Sequence, residues 1–480
     1  MTKDFIVAIE IGSSKITGIA GRRNDDGSIS VLALAQEDSR QSTHKGVVYN
    51  IDKTVLTIGN IIKKMENTLK THIARVYVGI GGQSIHSEKN VITKEFDQDT
   101  RISAEIVDAM RDENSNTNYV EQELLLPISQ EFMVDSQPQL DPVGIQCQTL
   151  KDNFLNILCR KSNYVNLNKC FKMAQQPVAE MYLAPIALAD SILTETEKRQ
   201  GCILVDLGYE TTTVAVYYRN IIRHLAVIPL GSNNVTKDIA NFLQIEDDEA
   251  ENIKLKYGSA YTDPKNQKDD VYISLADGRN VDAQRVDEII EARMEEIIAN
   301  VAYQVPSEYS NSLISGIVLT GGGANMTNMD VAFRNFTHIS KIRIAKFVTF
   351  SVNSNRKEIT AHDGRLNTVL GILAKGDINC AGAPIENTLF KDNDKPAEVK
   401  TEVHTSDQTN TGAVLSDAAK QKAADEERKR KEKEEAEKAA AAAAEAAAEA
   451  ERQRKANSPL HKIKTAASHF FDNLLKGDDE

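Results

Sequence analysis

An internal repeat constrains this chain more than any other feature. Displaced by 196 positions, Ile6–Ile19 falls on Cys202–Ala215, so that VAIEIGSSKITGI lies over ILVDLGYETTTVA. Each copy reads as an apolar strand, an acid, an apolar residue, a Gly, a short polar turn and a second apolar strand, which is a β-hairpin. Around this duplicated hairpin, short β-branched runs alternate with longer helical patterns from residue 1 to about 380. That alternation is the layout of an α/β fold with mostly parallel sheets. A chain of 480 residues that is 41% hydrophobic can bury a normal core across two or three domains.

Other classes are disfavoured. No run approaches the roughly 20 apolar residues of a spanning helix, and the N-terminus lacks the basic-then-apolar layout of a secretory signal, so the chain is expected on the cytosolic side. The five cysteines, Cys147, Cys159, Cys170, Cys202 and Cys380, show no CxxC pair and read as reduced structural thiols. A net charge of -13 speaks against nucleic acid as a partner.

In each hairpin the acid and Gly sit at the turn, where bare backbone and neighbouring N–H and hydroxyl groups suit a phosphate. Gly12, Ser13, Ser14 and Lys15 form the first candidate loop, and Gly208, Tyr209, Glu210 and Thr211 the second. Glu10 and Asp206 are carboxylates able to hold Mg²⁺ directly or through water. Taken singly, each is a weak signal, because an acid followed by Gly at a strand end is more often an ordinary hairpin turn. GIVLTGGGANMTNM at 316–329 reads as a buried strand ending in Gly321, Gly322 and Gly323 and leading into a helix, a place for a base or ribose against backbone. A tight strand-to-helix turn is the alternative. AENIKLKYG at 250–258 puts Glu251 and Lys254 three apart on one helix face, by itself a surface ion pair.

Two acid-Gly hairpins followed by a late triple-Gly strand resemble the actin, sugar kinase and heat-shock ATPase superfamily. Within it the chain most resembles the FtsA family of bacterial cell-division proteins, through FIVAIEIGSSKITGIAG, ARVYVGIGGQSIHS, ISQEFMVD followed by DPVGIQC, AENIKLKYG and GIVLTGGGANM. The resemblance implies an actin-like two-lobed fold with duplicated ribonuclease-H-like halves and an extra subdomain peculiar to the family. On it, residues 1–81 with 166–195 and 366–380 form the first half, 82–165 the inserted subdomain for self-association and partner contacts, and 196–365 the second half.

The same resemblance implies that ATP binds with Mg²⁺, Gly12 to Lys15 and Gly208 to Thr211 taking the phosphates, Gly321, Gly322, Gly323 and Ala324 the adenosine, and Glu251 and Lys254 lying beside adenine and ribose. Two departures stand out: Tyr209 and Glu210 replace glycines found in many relatives, and Thr213 stands where several have Asp. A Glu beside phosphates repels them unless Mg²⁺ intervenes or the side chain turns outward, so weak ATPase activity at most is expected, with Glu10 and Asp206 the candidates for positioning metal or water. Helix 285–305 carries Ile289, Ile290, Met294, Ile297, Ile298 and Val301 as its core face and Arg293 and Glu296 on the other, which is either a solvated face or, by the resemblance, the site for the C-terminal peptide of the tubulin-like ring protein FtsZ. A small-molecule kinase and a pilus or secretion scaffold share the superfamily fold; the terminal helix and the segment LPISQEFMVD with DPVGIQ favour division.

Beyond the body the composition changes. Residues 383–416 are polar and read as a disordered linker. Residues 417–456, almost wholly Ala, Glu, Lys and Arg, read as a helical spacer rather than a coiled coil, because no Leu, Ile or Val occupies an a or d position. Ser458, Pro459 and Gly477 frame an amphipathic helix over 458–476, with Leu460, Ile463, Phe470, Phe471, Leu474 and Leu475 on one stripe and Lys462 and Lys464 facing away. It is too short to span a bilayer and suited to lie on anionic lipid; docking on its own body or a partner is the alternative. The expected whole is a peripheral protein at the division site on the cytoplasmic face of the inner membrane, which self-associates, tethers FtsZ and meets later division proteins.

Overall fold

A computed structural model describes residues 4–263, 271–309 and 312–384. The spacer, the terminal helix and nearly all of the expected linker lie outside the described residues. Strand Ala381–Pro384 pairs with Thr71–Ile73 and carries the fold two residues into the segment expected to be linker. None of the described helices is long and apolar enough to cross a membrane.

The hairpin repeat is realised as two sheets of the same topology. In the first, Ile29–Asp38 runs antiparallel to Lys15–Arg23, which runs antiparallel to Ile6–Ile11, followed by parallel neighbours Val76–Ile80 and Val178–Leu183. In the second the same sequence of pairings joins Ile221–Ile228, Thr212–Tyr218, Cys202–Leu207, Ile317–Thr320 and Ile342–Ile344. The central parallel strands are covered on both faces, which is why VYVGI and IVLT are apolar runs, buried throughout, rather than alternating patterns. Helices Ile51–Leu69, Lys161–Met173, Ala184–Ile192 and Asn367–Lys375 share one core with the first sheet. Helices Ser232–Leu243, Asp247–Tyr257, Ala283–Tyr303 and Met329–Thr337 share another with the second.

Three long antiparallel strands, His86–Arg101, Gln146–Arg160 and Gln122–Val134, stand apart from this duplication. Although their sequence lies within the first half, they extend the second sheet, joined to it by the pairing of His86 with Ala226. Their near ends, with Leu126 and Ile157, enter the first core. Their far ends enclose a small core of their own around Met110, Phe132 and Phe154 under helix Ala104–Ser115. All five cysteines are buried.

Candidate functional site

The two hairpin turns close alike. Gly12 N–H donates to the Lys15 carbonyl at 3.1 Å, and Gly208 N–H donates to the Thr211 carbonyl at 2.9 Å. A Cβ would lie 2.7 Å from the first carbonyl and 2.8 Å from the second, so both turns require Gly. Both open on one cleft of about 680 Å³, within the roughly 300–1,000 Å³ of small-molecule sites. The cleft gathers Gly12, Ser13, Ser14 and Lys15 from the first turn, Gly208, Tyr209 and Thr211 from the second, Gly321, Gly322 and Gly323 from the late strand end, and Glu251 and Lys254 from helix Asp247–Tyr257.

Glu10 and Asp206, each two residues before a turn glycine, also face it. Burial, reinforced by the neighbouring Asp206 charge, raises Glu10 to about 8, against the pull of Lys15 and of hydrogen bonds from Thr368 and the Val369 backbone. Burial alone raises Asp206 to about 6. Two carboxylates facing one cleft are hard oxygen donors of the kind a divalent metal takes, and a cation beside them would offset the burial and mutual repulsion that favour their protonated forms, so the donor set fits such an ion. No cluster of three His, Cys, Asp or Glu exists among the described residues, so water or ligand oxygens would complete such a site. Lys15 is lowered by burial and by nearby Arg365, with Glu10 and Asp363 opposing.

At the strand end, Gly321 has a φ of 87°, and a Cβ there would meet Asp206 Oδ1 at 2.3 Å. Bare backbone is required where the two halves of the motif touch. The glycines then enter a short 3₁₀ turn, Gly322–Asn325, and the helix starts at Met329, two residues past Thr327, which still lines the cleft. Ala324 is buried beneath the turn rather than lining the cleft.

Lys254 is 4% exposed, which removes the surface-ion-pair alternative. Its Nζ donates to Glu251 Oε2 at 2.6 Å, Thr236 Oγ1 at 2.8 Å and the Ser232 carbonyl at 3.1 Å, while Thr236 also donates to Glu251. The amine is saturated by protein, and burial lowers its pKa against the support of Glu251. Its companion Glu251 presents the outer edge of this network to the cleft.

Of the second turn, only Glu210 leaves the site. Tyr209 lines the cleft, whereas the Glu210 carboxylate turns outward to the backbone N–H of Lys45 at 2.6 Å and to His44 Nδ1 at 3.2 Å. Arg293 and Glu296 lie on helix Ala283–Tyr303, remote from the cleft lining. The Arg293 guanidinium grips Asp238 with contacts of 2.5 and 3.0 Å and also donates to the half-exposed Glu296.

Sequence reasoning missed much of the cleft lining: Gly79, Gly81, Gly82, Ala184 and Pro185, and the wall formed by Asp363, Gly364, Arg365 and Thr368. Arg365 pairs with Asp363, and its aliphatic stem packs 3.5 Å from where a Gly322 Cβ would sit. The signal for that wall was the DG pair in AHDGR, an ordinary turn mark.

A family model described as cell division protein FtsA matches residues 203–363. A curated cell division protein FtsA of Neisseria meningitidis serogroup B is 32% identical over 335 residues, covering 68% of this chain and 80% of that protein. One from Pseudomonas aeruginosa is 30% identical over 330 residues, covering 67% of this chain and 78% of that protein. Among solved structures, the PilM-PilN type IV pilus biogenesis complex aligns with a TM-score of 0.56 and 12% identity, over 78% of this chain and 99% of that one, a likeness of fold.

Proposed function

The chain belongs to the FtsA family of cell division proteins, and from that premise we propose that it binds ATP with Mg²⁺ in this cleft, self-associates on the cytoplasmic face of the inner membrane and tethers FtsZ filaments there. The convergence of two matching glycine turns, a triple-glycine backbone and two buried carboxylates on one cleft carries the nucleotide reading. Phosphates lie between the turns, where the N–H groups of Ser13 and Ser14 and the Lys15 ammonium are available to them. Glu10 and Asp206 hold Mg²⁺, directly or through water, and the ion neutralises phosphate charge when bound. Gly321, Gly322 and Gly323 admit the nucleoside, with the Glu251 and Lys254 network fixing the wall beside it.

Hydrolysis is slow in this reading. Thr213 stands opposite Asp206 in the hairpin register, so no second carboxylate is present there to hold metal or activate water. Nucleotide then acts chiefly by holding the two halves together and favouring the self-associating state. Residues 82–165 supply self-association and later division contacts, the Arg293 and Glu296 face receives the FtsZ C-terminal peptide, and the amphipathic sequence over 458–476 binds anionic lipid. Each copy binds membrane modestly, and a polymer carrying many such segments stays attached through avidity.

Calorimetric titration of the full chain with ATP tests the nucleotide step. Saturable binding that requires Mg²⁺ and is abolished by chelation is expected. Absence of binding with Mg²⁺ present would overturn it.

A further inference from the structure

Glu210 has no place in a phosphate loop, yet its contacts are well made. Its carboxylate is largely buried and accepts from the Lys45 backbone N–H at 2.6 Å, a charge-assisted bond, with His44 beside it at 3.2 Å. A second bridge runs alongside. Arg40 reaches Asp248 of helix Asp247–Tyr257 at 3.6 Å and lies near Tyr209. These partners belong to the second half, while residues 39–46 belong to the first.

The other side of that short segment is tied to the first turn. Ser39 Oγ and Thr43 Oγ1 both donate to the Gly12 carbonyl at 2.7 Å, and Ser39 N–H donates to the Ser14 carbonyl at 3.1 Å. Gln83 N–H fixes the Lys45 carbonyl at 2.8 Å. Residues 39–46 therefore hydrogen-bond both turns that wall the cleft. A ligand cannot part the turns without straining or breaking this bridge.

We propose that residues 39–46 form a clasp between the two walls of the cleft, with Glu210 as its latch, and that release of the latch sets how fast nucleotide enters and leaves. The proposal rests on the reading of the cleft as a nucleotide site. The Lys45 end is anchored to the first half, so the carboxylate of Glu210 is the part that lets go. His44 is half-exposed, which leaves the latch open to water and able to release without unfolding either half.

The sign of one substitution separates a latch from a phosphate neighbour. Were Glu210 to face phosphate, E210A would remove repulsion and slow release. As a latch, it speeds both entry and release.

Stopped-flow measurements on the full chain with methylanthraniloyl ATP and Mg²⁺ read these rates. E210A should raise both about tenfold, the effect expected of one charge-assisted hydrogen bond, while the equilibrium affinity changes much less. H44A should give a smaller increase of the same sign. Amide exchange across residues 43–48, measured without nucleotide, should accelerate in E210A; if E210A does not melt cooperatively, E210Q carries the same measurements. Unchanged or slower release, or unchanged exchange, would overturn the clasp. If the wild type takes up no labelled ATP, the nucleotide reading fails, and the exchange measurement still decides whether Glu210 latches the segment.

Discussion

Replacing Glu10 by Gln should stabilise the nucleotide-free protein at mildly alkaline pH while weakening its response to Mg²⁺ and ATP. Glu10 is raised from 4.5 to about 8 by burial and then by Asp206. Between those values the folded protein keeps a proton that the unfolded chain has released. The stability gained from that proton is fully present below about 4.5 and is lost as pH rises through about 8. Gln has no such proton, so E10Q escapes the decline. Each pH unit in the window is worth at most about 1.4 kcal/mol, a ceiling of about 5 kcal/mol. The side chain opens on the solvent of the cleft, which screens the charged form, so a gain of about 1–2 kcal/mol at pH 8 is expected. That corresponds to a melting temperature higher by about 2–4 °C. Melting curves of wild type and E10Q in chelator at pH 5 and pH 8, repeated with excess Mg²⁺ and ATP, measure it. E10Q should lead at pH 8, lose most of that lead at pH 5 and fall behind the wild type when Mg²⁺ and ATP are added. An equal lead at both pH values, or none at pH 8, would refute the reasoning.

Lys254→Met leaves Glu251, Thr236 and the Ser232 carbonyl without their shared donor; a loss of about 2–3 kcal/mol in denaturant unfolding is expected, partly recovered by adding E251Q. Arg293→Glu sets a carboxylate between Asp238 and Glu296; titration should show weaker binding of the FtsZ C-terminal peptide, and unchanged affinity would remove Arg293 from that site. Replacing Phe471 and Leu474 by Glu should release the protein from anionic liposomes with its melting temperature unchanged, and retained sedimentation with vesicles would count against the helix as the anchor.

The duplicated halves were legible because one local pattern, an acid and a Gly at a hairpin turn, recurs with the same turn geometry at Gly12 and Gly208. The triple glycine was legible for the same reason, since close backbone approach to Asp206 excludes any side chain at Gly321. The state of Lys254 was not. A Glu and a Lys three apart look the same on an exposed or a buried helix face, and only the packing of helix Asp247–Tyr257 against Ser232–Leu243 brings Thr236 to the amine. Arg293 likewise carries no local sign of Asp238, which is 55 positions away. The partners of Glu210 lie 165 and 166 positions away in the other half, so its outward turn follows from tertiary contact alone. The wall formed by Asp363 to Thr368 arrives by the same long-range route.

The central claim joins the nucleotide cleft to a membrane anchor through self-association, and co-sedimentation with anionic liposomes tests that union directly. Full-length chain and a chain ending at residue 457 are compared, with and without Mg²⁺ and ATP and the FtsZ C-terminal peptide. The account predicts that only the full-length chain sediments with vesicles, more so with nucleotide, and that it brings the peptide down with it. Equal sedimentation of the truncated chain, or membrane binding of the full chain indifferent to nucleotide, would contradict it.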